Sequence, residues 1–159
     1  MCRFRETTFE LLGGVTELQF ALLNLGDDEV VQLAVVLPLC AKLTELQLES
    51  TQVGGKGAAA LAGAIKGNGV VKSLFLDDND IGDAGGAAFA DVLRINGVLE
   101  GLFLSYNKIG DAGAAALADA LRINGALQTL CLNDNKIGED AKSKLRKAVQ
   151  GRSGFQLGL

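Results

Sequence analysis

The chain has 159 residues, 48% of them apolar but only 5% aromatic, with 21 glycines, one proline and a formal net charge of −4. That length supports one domain with a sizeable core, which must be filled with Leu, Ile, Val and Ala rather than with rings. The acidic balance argues against general affinity for nucleic acid or anionic lipid, neither of which offers a counter-charge.

Residues 1–14 lie where the helix of a preceding unit would fall. They are expected either to cap the first strand with Phe4, Phe9, Leu11 and Leu12 or to be the cut edge of a longer array. From Val15 onward the chain repeats itself every 28 residues, with units opening at Val15, Leu43, Val71, Leu99 and Leu127. The fullest unit reads LEGLFLSYNKIGDAGAAALADALRINGA from Leu99 to Ala126. The expected division is therefore 15–42, 43–70, 71–98, 99–126 and 127–150 in a single domain spanning 1–159.

Within a unit, apolar residues at positions one, four, six and eleven (Leu99, Leu102, Leu104, Ile109) predict a short strand with one buried face, then a turn. The ninth position is Asn79, Asn107 or Asn135 in the last three units, an inward amide suited to satisfying turn backbone; Thr51 and Leu23 replace it earlier, where weaker turns are expected. Ile-Gly-Asp follows, with Asp83 and Asp111 read as caps of their own helices. The helix buries residues such as Leu117, Ala120 and Leu121, and Asn96-Gly97 and Asn124-Gly125 are expected to end helices through left-handed backbone. Pro38 marks a different exit in the first unit. Past Val149, Phe155, Leu157 and Leu159 predict a sixth strand over 151–159, slipped by one residue and closing the end.

Such units cannot bury their own apolar sides, so they must stack. The expected architecture is an α/β solenoid, a horseshoe with a parallel sheet on the concave face and helices on the convex face. The pattern L-x-x-L-x-L-x-x-N-x-I-G-D-x-G-A-x-A-L-A-x-A-L resembles the leucine-rich repeats of the ribonuclease-inhibitor type, over about residues 15–150. Ribonuclease inhibitor, Ran GTPase-activating protein and NOD-like receptors carry similar arrays. What the resemblance implies is a protein-interaction module binding through its concave face. It also implies alternatives: a GTPase activator of the Ran-specific type, or an array fragment of a NOD-like-receptor-type protein. The tail 150–159 has no acidic residue, which counts against the GTPase activator.

Aligning the units places the outward strand positions in columns. Phe75 and Phe103 stand next to each other in the central column after Gln47, with Tyr106 nearby and Glu45, Glu49, Asp77, Asp78 and Asp134 around them. An aromatic anchor ringed by acids suits a basic, partly apolar protein or peptide. The competing reading is two rings that merely stack across strands and acids that serve solubility. Lys66, Arg94 and Arg122 form a period-spaced ladder with Asp91 and Asp119 three residues earlier, best read as intrahelical ion pairs. The basic run Lys142, Lys144, Arg146, Lys147 favours the last helix's C-terminal dipole.

Catalysis is not expected. The chain has no histidine, so Ser-His-Asp and Cys-His mechanisms are excluded. Gly54-Gly55-Lys56-Gly57 and Gly82-Asp83-Ala84-Gly85-Gly86 lack a phosphate-loop ending and sit at the repeat's own turn. No cofactor or metal is expected. Cys2, Cys40 and Cys131 show no metal-ligand spacing and read as free thiols of a cytoplasmic or nuclear protein, a monomer or part of a longer chain.

Overall fold

A computed structural model describes residues 14–159. Cys2 and the capping residues Phe4, Phe9, Leu11 and Leu12 lie outside the described residues. The order is β1 (Glu17–Gln19), α1 (Gly26–Val36), β2 (Glu45–Gln47), α2 (Gly55–Lys66), β3 (Ser73–Phe75), α3 (Gly82–Leu93), β4 (Gly101–Phe103), α4 (Asp111–Leu121), β5 (Thr129–Cys131), α5 (Glu139–Ala148) and β6 (Gln156–Gly158). The six strands form one parallel sheet in sequence order. Leu18, Leu46, Leu74, Leu102, Leu130 and Leu157 share a single row across it. The first four pairings are offset by 28 residues, whereas Thr129 pairs with Gln156, so β6 is one residue short of the period. A short 3-10 turn, Leu37–Leu39 with Pro38 inside it, ends the first helical half.

Leucines and isoleucines from both halves of each unit merge into one continuous core; Leu46, Leu74, Leu102, Leu117 and Leu130 are fully buried. Each helix packs against the next, as each strand does. Strands sit about 4.8 Å apart while helices need about 8–10 Å, so stacking curves the sheet inward. That curvature makes the sheet the concave face.

Two sequence expectations about helix ends are corrected. Asp83 and Asp111 do not cap their own helices, whose first turns have no side-chain cap. Their carboxylates reach forward instead. Asp83 Oδ1 accepts the N–H groups of Gly110 and Gly113 at 2.7 and 2.8 Å, and Asp111 Oδ1 accepts that of Gly138 at 2.6 Å. Asp27 does the same for Gly54 and Gly57. Each aspartate thus supplies the acceptor that the next unit's helix lacks at its start. The second unit has Gly55 at this position and provides no such link. Asp83→Ala is expected to lower stability by about 1–2 kcal/mol, against under about 0.5 for the exposed Asp119→Ala. Equal melting temperatures for the two variants would refute the link.

The helix exits differ too. Neither Asn96 nor Asn124, nor the glycine after each, has a positive φ. The amides act through hydrogen bonds. Asn96 Nδ2 donates back to Ile65 O and Asn68 O of the preceding unit, while its Oδ1 accepts from Val98 and Leu99 N–H. Asn124 repeats the pattern one unit on. The inward ninth-position amides behave alike: Asn79, Asn107 and Asn135 donate to carbonyls of the unit before them. Thr51, expected to hold its turn weakly, is buried; its hydroxyl donates to Leu48 O and its N–H to Asn79. Leu23, at the same position, is half exposed.

Candidate functional site

Three residues beyond each of β1 to β5 lies an eighth-position residue with φ between 54 and 63°: Leu22, Ser50, Asp78, Tyr106 and Asp134. The ladder survives this bend because the eighth N–H donates to the seventh carbonyl of the next unit, as from Tyr106 to Asn133. The left-handed turn throws the eighth side chain out as a ridge along the edge of the sheet. Leu22 is 81% exposed and Tyr106 57%. L-residues pay a steric cost in this region, and the repetition of the bend shows that the surrounding ladder outweighs it.

On the concave face, Gln47, Phe75, Phe103 and Cys131 stand in register on successive strands. The two phenyl rings stack, 4.4 Å between centroids and 7° between planes, each half-buried. Phe103 leans over Gly101, where a Cβ would lie 3.0 Å from the ring, so a glycine is what lets the ring lie flat. Phe103 therefore occupies one side of Phe75, and the other side faces the strand bearing Gln47. Gln19 and Gln47 both donate to Glu17 Oε1, at 2.5 and 2.6 Å. Asp77 accepts the Ser105 N–H at 2.8 Å, and Asp78 accepts the Ser50 hydroxyl at 2.7 Å. Glu49 keeps one carboxylate oxygen, Oε2, out of solvent with no hydrogen-bond partner among the described residues.

The structure thus gathers Phe75, Phe103, Gln47, Glu45, Glu49 and Asp77 on the sheet face, and places Asp78, Tyr106 and Asp134 on the ridge beside it. The Tyr106 phenol is raised above its ordinary pKa by the hydrogen bond to and charge of Asp134, and less by burial and by Asp78. Burial, then the charge of Asp77, raises the Cys131 thiol, so it is a poor nucleophile despite its place in the central column. Both described cysteines are free. Glu17 and Gln19 were not singled out from sequence, although the Glu-x-Gln of β1 recurs in β2 and could have flagged their shared network. The helical ion pairs form at Arg94–Asp91 and Arg122–Asp119 on exposed surface, and in the last helix Lys142 and Arg146 both turn to Glu139. Among the described residues, no group of three or more His, Cys, Asp or Glu side chains is placed to hold a metal ion.

A family model described as Leucine Rich repeat matches residues 39–62, 67–90 and 99–118. The chain also superposes on the leiomodin-1 domain titled Actin-Binding Site 2, with a TM-score of 0.77 at 19% identity, over 94% of this chain and 89% of that one. The fold is a leucine-rich-repeat solenoid. The C-terminal domain of tropomodulin from Caenorhabditis elegans shares it, with a TM-score of 0.67 at 13% identity over 91% and 90% of the two chains. At these identities the likeness is one of fold. No curated protein matches the sequence significantly. In this leucine-rich-repeat solenoid the matched stretches cover the units that contribute the aromatic pair and most of the nearby acids.

Proposed function

We propose that the chain is a non-catalytic protein-interaction module that takes a basic, partly apolar protein segment on its concave sheet face. The observation that carries this is the stacked pair Phe75–Phe103, large apolar surface left partly exposed at the centre of an otherwise polar face. Fold likeness to an actin-binding domain is consistent with a protein partner. The 28-residue unit with a complete helix supports placing the repeats with the ribonuclease-inhibitor type. Free Cys40 and Cys131 are in keeping with a reducing compartment such as the cytoplasm.

Phe75→Ala with Phe103→Ala is expected to abolish capture of the partner by the immobilised chain. The melting temperature should fall by only a few degrees, because the pair's stacking is worth about 0.5–1.5 kcal/mol beyond its burial. A loss of the folded state would show that the rings serve the core; unchanged capture would move binding off this face. A second reading, actin itself as partner, is favoured by the leiomodin likeness alone. Absence of the chain from the pellet on cosedimentation with actin filaments would dismiss it.

A further inference from the structure

Charge on the concave face is uneven along the stack. Glu17, Glu45, Glu49 and Asp77 lie over β1–β3, whereas Gly101, Ser105, Thr129 and Asn133 hold the matching positions over β4 and β5. The aromatic pair sits at the boundary. All seven ion pairs among the described residues lie elsewhere, on the helices or along the rims, as Lys72–Glu100 and Lys108–Asp80 do. The concave acids have no cation among those residues. One of them, Glu49, keeps an oxygen out of solvent with no donor among those residues, so its charge is only partly hydrated and a cation beside it is screened less than at an open surface.

We infer that the concave face seats an arginine of the partner between the open side of Phe75 and the carboxylate of Glu49. The inference rests on the concave-face reading proposed above. Phe103 covers one side of Phe75, so a cation can lie only on the other, toward the β2 row. Gln47 stands opposite Phe75 in that row, and Glu49 follows two residues later on the same face of the strand path. A guanidinium suits this place better than an ammonium. It is planar enough to lie on a ring while its edge donates to a carboxylate through two N–H groups. Glu49 then gains a charge partner on its solvent-facing side, and Asp77 adds charge from the next strand. The arginine's neighbours in the partner follow from the same map: further basic residues toward β1, an apolar residue on the paired rings, and uncharged polar residues over β4 and β5.

The test is selection of a phage-displayed random dodecapeptide library on the immobilised full chain, followed by titration of the synthetic winners. Peptides combining arginine with an apolar residue are expected to emerge. Their affinity should fall about tenfold or more with Glu49→Gln, since truncating a partly desolvated charge pair is expensive. Changing the peptide's arginine to citrulline removes the charge, nearly keeps the shape, and needs no altered protein; it should cost as much. Changing it to lysine should cost severalfold. Winners that are lost with the Phe75/Phe103 double alanine but ignore both Glu49→Gln and citrulline would overturn the arginine seat while leaving the concave site standing. Winners without basic residues would do the same. Winners indifferent to the double alanine, or none at all, would overturn both.

Discussion

Asn79→Ala is expected to destabilise the chain by about 3 kcal/mol, because it orphans several buried backbone groups at about 1–3 kcal/mol each. The Asn79 side chain is 6% exposed and joins two units. Its Oδ1 accepts the N–H groups of Thr51 and Val53 at 3.1 and 2.8 Å. Its Nδ2 donates to Leu48 O, Leu76 O and Asp77 O at 2.8, 3.0 and 3.2 Å. Alanine keeps none of these. Urea unfolding of both proteins measures the loss. A deficit under about 1 kcal/mol would mean that solvent enters and restores the bonds, and that the amide is not what holds the second and third units together.

Gly85→Val should cost a similar amount, about 3 kcal/mol, through overpacking at a helix–helix contact. A Cβ on Gly85 would overlap Ile81 Cγ2 and stand 2.9 Å from Ala58 Cβ of α2. Ala58 has no rotamer to move and Ile81 is buried, so the two helices must separate. Gly63 is the control. It too lies within a helix, but a Cβ there meets nothing within 4 Å. Gly63→Ala should therefore stabilise by about 0.5–1 kcal/mol, the ordinary helical gain. Opposite signs for the two glycines, read from thermal melts, would establish that small residues in these helices are there for close approach. Like signs would dismiss that account.

Much of the solenoid is legible in the sequence because a period is a global signal. Once Leu102 and Leu74 are seen to be 28 residues apart, parallel pairing and a shared core follow from the need to bury both. Relations between units are less legible. Ile-Gly-Asp looks like a cap in one dimension because Asp83 precedes its own helix, and only stacking reveals that the orphan N–H groups within reach belong to Gly110 and Gly113. Asn96 misleads in the same way: its local turn preference points to left-handed backbone, while its actual partner, the buried carbonyl of Ile65, lies 31 residues back in the preceding unit. The positive φ at Leu22 and Tyr106 has no signature, since neither residue type favours it. At the candidate site, columns of outward residues follow from periodicity alone, so the neighbouring placement of Phe75 and Phe103 could be read. The unpaired oxygen of Glu49 could not, because it depends on how side chains divide the available donors.

The two kinds of fastening point opposite ways along the array. The inward asparagines bind the unit before them, and the aspartates bind the helix after them. A unit such as 99–126 therefore brings both halves of its couplings wherever it is spliced, like a brick with a tongue on one side and a groove on the other. Genetic excision or tandem duplication of residues 99–126 recreates both couplings at the new join, because Asp83 and Asn135 bring the same partners to it, so length can drift there without a crisis of folding. Removing residues 99–126 should yield a chain that still unfolds cooperatively, one period shorter; loss of a cooperative transition would show that these units are not interchangeable.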